Sequence, residues 1–400
     1  MSYVALYRKY RPKTFDEVYG QSAIVQTLTN QIMSQRIGHA YLFSGPRGTG
    51  KTSISKIFAQ AINCTSPVHG SPCGQCECCK MIQNNINVDI IEIDAASNNG
   101  VDNIRELIEE SKYMPQHGMY KVYIIDEVHM LSSSAFNALL KTLEEPTKNV
   151  VFILATTEEH KVPPTISSRC QRHQFKLLDD SVLVQALQDI CSNEGINAEE
   201  QALKYVAKLA KGGLRDALSL LDQCTSFYKN IDLNCVYEVF GQVEDTAIAE
   251  IADCIEHQKI PEMFDLIREL EYKGKDLSNI CIALYDHYRE RCFNMMSSGQ
   301  DTTILDRYMR VLAELSESMK HNRNRVVFEV NMIKMCKPQM ETDYSSLYQR
   351  IRILEEAMEQ ILTNKSVTVE LTPPKPIDKT DFVILQYRQP LRKRLVVSTI

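Results

Sequence analysis

Between residues 39 and 178 the chain alternates short apolar runs with stretches of helical period. The runs are His39 to Phe43, Asp89 to Asp94, Lys121 to Asp126 and Val150 to Ala155, with a further strand expected at about 173 to 177. Runs of this length, apolar on both faces of the pleat, predict buried parallel strands joined by crossover helices. After about residue 178 the strand signal stops. Amphipathic stretches at Val182 to Cys191 and Glu200 to Ala210 predict helices, interrupted at Gly212-Gly213. From about Val243 to Ile361 the period is helical again, with turn signals at Gly274, Ser297 to Gly299 and Lys337-Pro338. Thr363 to Thr380 is polar and carries Pro373, Pro374 and Pro376, the make-up of a linker, and the last 20 residues form an apolar and basic tail that fits no unit. No internal repeat is visible. The pattern therefore predicts an α/β fold in four parts: a parallel-sheet domain over 1–178, a small helical domain over 179–242, an all-α domain over 243–362, and a linker with tail over 363–400.

Composition agrees with several domains in an ordinary soluble protein. The 400 residues are 44% hydrophobic and 24% charged, and no window approaches the ~18 uninterrupted apolar residues of a membrane span. The N-terminus lacks the apolar region of a signal peptide, so a cytoplasmic protein is expected. In that compartment the 13 cysteines read as thiols rather than disulfides, and five of them crowd between Cys64 and Cys79. The net charge of −6 argues against bulk coating of nucleic acid, yet residues 1–60 carry eight basic side chains against two acidic ones. Such a local excess suits a polyanion, although a solvated basic face has the same composition.

The strongest chemical signal is Gly45-Pro46-Arg47-Gly48-Thr49-Gly50-Lys51-Thr52, a complete G-x-x-x-x-G-K-T between a predicted strand and a helix over Ser53 to Ile62. Glycines let backbone N–H groups turn inward around a phosphate chain, and the helix start adds its positive end. Lys51 is expected on the β- and γ-phosphates, and the Thr52 hydroxyl on magnesium. The strand ending Ile124-Ile125-Asp126-Glu127 offers Asp126 to the magnesium shell and Glu127 to the attacking water. Thr156 and Thr157 follow the next strand, either as readers of the γ-phosphate or as a polar turn. Cys64, Cys73, Cys76 and Cys79, with Gly70, Pro72 and Gly74 for tight turns, form a C-x8-C-x2-C-x2-C set. Four thiolates at about 2.3 Å suit a closed, structural zinc site; a redox dithiol and an iron–sulfur cluster are the alternatives. Cys78 reads as a bystander. Arg169 in Ser168-Arg169-Cys170 and Arg215 in Gly213-Leu214-Arg215-Asp216 are cations that a hydrolytic site could use or that could simply pair with acids.

Taken together, these motifs resemble the γ/τ subunits of the bacterial DNA polymerase III clamp loader, within the AAA+ ATPases. The resemblance runs from Tyr3 to about Ile361. It rests on Tyr7-Arg8-Lys9-Tyr10-Arg11-Pro12 with Phe15, Val18 and Gly20, the glycine-rich loop, the four-cysteine insertion and Asp126 to Leu131. Further matches are Asn137 to Pro146, Leu154 to Thr157, Ser168 to Cys170 and Leu214 to Ser219. The resemblance implies an AAA+ module with a five-stranded parallel sheet and a zinc insertion, then a helical lid and an all-α collar that closes a ring. It implies ATP with Mg2+ as the nucleotide, bound by Arg11, Pro12, Val18, the loop from Gly45 to Ser53, Leu214 and Arg215. Thr157 takes the sensor-1 position, Arg215 sensor 2, and Arg169 becomes an arginine finger acting on the neighbouring subunit. The implied partners are δ and δ′ subunits, further copies of the chain, the β sliding clamp, and primer–template DNA held through phosphates and duplex shape, with no membrane. Another AAA+ DNA-remodelling ATPase, a non-hydrolysing ring scaffold and a metal-dependent redox protein are the rival readings. Lys365 to Ile400 matches none of the domains with which longer relatives grip helicase and polymerase, so that tethering is not expected of this chain.

Overall fold

The computed structural model describes residues 3–84, 86, 89–321, 324–341 and 344–363. The linker and tail expected over 363–400 therefore lie, from residue 364 on, outside the described residues. Five strands, β1 (Ala40–Ser44), β2 (Ile90–Asp94), β3 (Lys121–Asp126), β4 (Val150–Thr156) and β5 (Gln171–Gln174), form one parallel sheet in the order β2-β3-β4-β1-β5. α1 (Leu6–Lys9) comes first in the chain, and the helices of this unit are α2 (Ser22–Met33), α3 (Lys51–Ile62), α4 (Glu77–Gln83), α5 (Val101–Glu110), α6 (Ser133–Glu144) and α7 (Pro164–Ser167).

The period of two sorts the strand side chains cleanly. Tyr41, Phe43, Val122, Ile124, Val151 and Ile153 face a core completed by α2 and α3. Their neighbours Leu42, Tyr123, Ile125, Phe152 and Leu154 face a second core completed by α5 and α6. Because both faces are covered, the three central strands carry almost no polar residue. The fifth strand departs from expectation: it runs Gln171–Gln174, earlier and shorter than 173 to 177. β5 is an edge strand with one covered flank, so it tolerates polar side chains and shows no apolar run. Phe175, buried just beyond it, donates its N–H to Ser44 O at 2.7 Å and carries the apolar signal. The helix after the glycine-rich loop also starts earlier than Ser53, at Lys51.

A further core, of the second unit, is built from α8 (Asp180–Glu194), α9 (Glu200–Ala210), α10 (Leu214–Phe227) and α11 (Leu233–Val239), and it includes Leu6 from α1. A two-residue parallel pairing of Asn197–Ala198 with Asn230–Ile231 joins its loops, too short to leave a pattern in the sequence. The core of the third unit spans α12 (Asp245–Glu256), α13 (Ile260–Tyr272), α14 (Leu277–Ser297), α15 (Thr303–His321) and α16 (Arg325–Cys336), with α17 (Tyr344–Thr363) against α15. Among the described residues no helix is long and apolar enough to cross a membrane.

Candidate functional site

The order of the sheet brings the C-terminal ends of β1, β4 and β3 side by side, where an open α/β sheet presents its ligand crevice. The loop after β1 turns on Gly45, Gly48 and Gly50, at φ of 144°, 77° and 97°. At Gly45 a Cβ would lie 2.4 Å from Phe175 O, so only glycine fits. The loop closes on itself through Thr49, whose Oγ1 donates to Pro46 O at 2.8 Å. Lys51 is 6% exposed, and its Nζ donates to Gly45 O and Pro46 O, both at 2.8 Å. Burial pushes its ammonium below the ordinary lysine value, while Glu127 and Asp126 pull it back up.

Thr52 and Asp126, 74 positions apart in the chain, meet: Thr52 Oγ1 donates to Asp126 Oδ2 at 2.8 Å. Asp126 Oδ1 accepts the Glu127 N–H at 3.0 Å. Glu127 sits at φ 49°, a left-handed conformation that a non-glycine residue adopts only when its surroundings impose it. Its Oε2 accepts the Thr157 hydroxyl at 2.9 Å and the Thr157 N–H at 3.3 Å. Thr156 instead faces His129, with Oγ1 3.0 Å from Nδ1. A hard divalent cation prefers such hydroxyl and carboxylate oxygens, so Thr52 and Asp126 fit magnesium.

Of the remaining predicted nucleotide contacts, Pro46, Arg47 and Ser53 lie in the loop or the first turn of α3. Leu214 opens α10, whose start abuts the loop: a Cβ on Gly48 would come within 3.2 Å of Gly213 Cα. Arg215 lies over the Tyr7 ring, 5.1 Å from its centroid. Arg11 is exposed, Pro12 half-buried, and Val18 packs on the core shared by α2 and α3. Arg169 is 34% exposed, pairs with Glu144 and donates to Thr165 O at 2.6 Å, so its bonds run to α6 and α7 and none to the loop of its own chain. Two participants were given no role from the sequence, His129 and the Tyr7 ring beneath Arg215; both lie in segments that carry the family resemblance, but neither residue type signals its contact.

The four cysteines also converge. Their Sγ atoms lie within 4.8 Å of one another, with Cys64 and Cys76 at 3.9 Å, close to the ~3.8 Å edge of a zinc–sulfur tetrahedron. Gly70 and Gly74 take positive φ, as the turns require. Backbone N–H groups of Cys73, Cys76 and Cys79 donate to the sulfurs of Cys64, Cys73 and Cys76 at 3.3 to 3.4 Å. Backbone donors, led by Gln75 N–H and then Cys76 N–H, hold the Cys73 thiol down to about 6. Donors aimed at sulfur favour thiolate, the form a metal needs, while burial pushes the Cys64 and Cys79 thiols up. Cys78 is buried outside this set, with its thiol on His117 O at 3.4 Å.

Residues 20–179 match the family described as DNA polymerase III, delta subunit, and residues 182–229 the clamp loader subunit ATPase lid domain of DNA polymerase III. The chain is 40% identical to DNA polymerase III subunit tau of Bacillus subtilis over 402 aligned positions, covering 94% of this chain and 71% of that protein. The chain belongs to the DNA polymerase III tau/gamma family. Its relative in Haemophilus influenzae, DNA polymerase III subunit tau/gamma, is 47% identical over 68% of this chain and 39% of its own length. Subunit tau of Escherichia coli is 40% identical over 78% and 49%. The chain thus spans half or less of those two tau/gamma proteins. Among solved structures, the Thermotoga maritima RuvB branch migration motor aligns with a TM-score of 0.46 at 18% identity, over 62% of this chain and 80% of that one, too distant to carry an argument. A clamp-loader lid directly behind the sheet unit makes the Gly213–Gly48 approach the seam between the two.

Proposed function

We propose that the chain binds and hydrolyses ATP as an AAA+ subunit of a DNA polymerase III clamp loader, opening the β sliding clamp and loading it onto primed template DNA. The observation that carries this reading is the convergence of Lys51, Thr52, Asp126 and Glu127 from two strand ends onto one loop. A scaffold that never hydrolysed ATP would have no need of that set.

In this reading Arg11, Pro12 and Val18 hold the adenine and ribose, and the amides from Gly45 to Ser53 cradle the phosphates. Lys51 leaves the Gly45 and Pro46 carbonyls for the β- and γ-phosphates. Thr52 and Asp126 hold magnesium, which when bound screens phosphate charge. Glu127 orients and polarises the attacking water, and Thr157 senses the γ-phosphate while aligning Glu127. Arg215 reaches the phosphates from the lid, so nucleotide closes lid onto loop. Arg169, half-buried and unconnected to its own loop, serves the adjoining subunit's ATP. The cysteine set holds a structural zinc. The third helical unit acts as the collar of a ring with δ, δ′ and further copies, and DNA is gripped through phosphates with strong salt dependence. Lys51→Ala should abolish ATP binding, DNA-stimulated hydrolysis and clamp loading in the reconstituted complex. Retention of the last two would refute the reading.

A further inference from the structure

His129 has no part in the chemistry so far, yet its imidazole occupies the middle of the hydrolytic machinery. It stands in the short turn Val128–Met130 directly after Glu127, and its side chain is only 7% exposed. One ring nitrogen, Nδ1, lies 3.4 Å from Glu127 Oε2 and 3.0 Å from Thr156 Oγ1. The other, Nε2, lies 3.4 Å from Glu158 Oε1. Glu158 is itself anchored: its N–H donates to Thr156 Oγ1 at 3.0 Å and its carboxylate takes the Lys161 ammonium at 2.8 to 3.0 Å, with His160 Nε2 at 3.7 Å. A buried ring with an oxygen within 3.4 Å of each nitrogen is a rigid spacer, since rotating it breaks both contacts together.

We propose that His129 is a positioning residue for hydrolysis, its ring fixing the aim of Glu127 against Thr156 on one side and against the Glu158 carboxylate on the other. This rests on the assignment of Glu127 to the attacking water. Glu127 Oε2 is already gripped by both donors of Thr157, and the His129 ring 3.4 Å away closes a further side of that carboxylate. The segment after β4 thereby sets the geometry from which Glu127 works. This segment leads through α7 to Arg169, so a neighbour that engages Arg169 would pull on the same support. The ring makes no hydrogen bond or ion pair to the loop glycines or Lys51, so its effect belongs to the chemical step and not to nucleotide capture.

The test compares three substitutions in the full chain, with ATP affinity measured by a fluorescent ATP analogue and kcat at saturating ATP. His129→Phe keeps the ring volume and removes both nitrogens. His129→Asn presents an amide N–H near the Nδ1 position, and His129→Gln one near Nε2. A displaced catalytic group costs up to about 100-fold in rate. We expect His129→Phe and His129→Gln to lower kcat about 10- to 100-fold with affinity within about twofold, and His129→Asn to recover most of the rate. An unchanged kcat in His129→Phe overturns the proposal, as does a loss of affinity that matches the loss of rate. If His129→Phe does not fold, the contrast between Asn and Gln decides, and equal rates in the two overturn it. Glu127→Gln is run beside them: if it still hydrolyses ATP, the assignment of Glu127 fails, whereas an inactive Glu127→Gln beside fully active His129 variants defeats this inference alone.

Discussion

Lys51 and Arg169 show how differently two candidate cations of this chain are housed. Lys51 is buried and satisfied by two carbonyls of its own loop, so its charge is held ready at a place that phosphates can take over. Arg169 is half-buried with the exposed Glu144 as its partner, and a pair this open to solvent contributes little to stability. Its side chain is therefore free to change partners. Arg169→Ala should leave ATP affinity within about twofold and folding unaltered, yet lower ring-dependent kcat by about 1,000-fold, the usual scale for an arginine finger. Mixing that variant with Lys51→Ala separates the two roles. If Arg169 acts on the neighbour, each Lys51→Ala chain lends its arginine to an adjoining Arg169→Ala chain whose own loop is intact, and mixed rings regain hydrolysis that neither variant shows alone. Mixed rings as inactive as the two variants would place the arginine's effect within its own chain.

At the scale of elements, the central strands were legible because burial on both faces demands unbroken apolar runs, while edge strand β5 was expected at about 173 to 177 and lies at Gln171–Gln174, its polar side chains leaving no run to mark its bounds. The cysteine element was legible from spacing alone, and its four sulfurs do converge. Metal analysis should find about one zinc per chain, and Cys73→Ser should remove it together with part of the thermal stability of the sheet unit. Retention of zinc would exclude Cys73 as a ligand. Arg307, by contrast, left no trace in the pattern. It is fully buried on α15 and binds Glu341 at 2.8 Å, Ser346 at 3.1 Å and Gln349 at 2.9 Å. It also donates to the carbonyls of Lys334 and Met335 where α16 ends. One guanidinium thus caps α16 and docks α17, a task for a five-donor fork. Arg307→Met strands these acceptors and should cost the third unit about 3 to 5 kcal/mol, seen as a lowered unfolding transition in calorimetry. Arg307→Lys should not restore it.

Across the whole molecule, the N-terminal segment ties two units together. Leu6 belongs to the lid core while Phe15 belongs to the sheet core. Tyr3 donates to Asp222, Tyr10 to Glu194 at 2.5 Å and Tyr19 to Asp189 at 2.9 Å, all carboxylates on lid helices. Burial and the Glu194 bond push the Tyr10 phenol up to about 12, so these phenols remain donors at any physiological pH. With Tyr7 beneath Arg215, the strap sets where the lid carries its cation. Replacing Tyr10 and Tyr19 together by Phe removes two such bonds at about 1 kcal/mol each and should weaken ATP binding severalfold, measured by nucleotide titration. Unchanged affinity would show that the lid is held by its core alone. The sequence by itself determined the glycine-rich loop, the acidic strand end, the cysteine set and the alternation of apolar runs, because each draws its chemistry from neighbours a few positions apart. Only the tertiary structure decided that Thr157 and His129 grip Glu127, that Tyr7 underlies Arg215 and that Arg307 holds α17. Those contacts depend on which strand ends and helices come to lie side by side, and local periodicity carries no information about that choice.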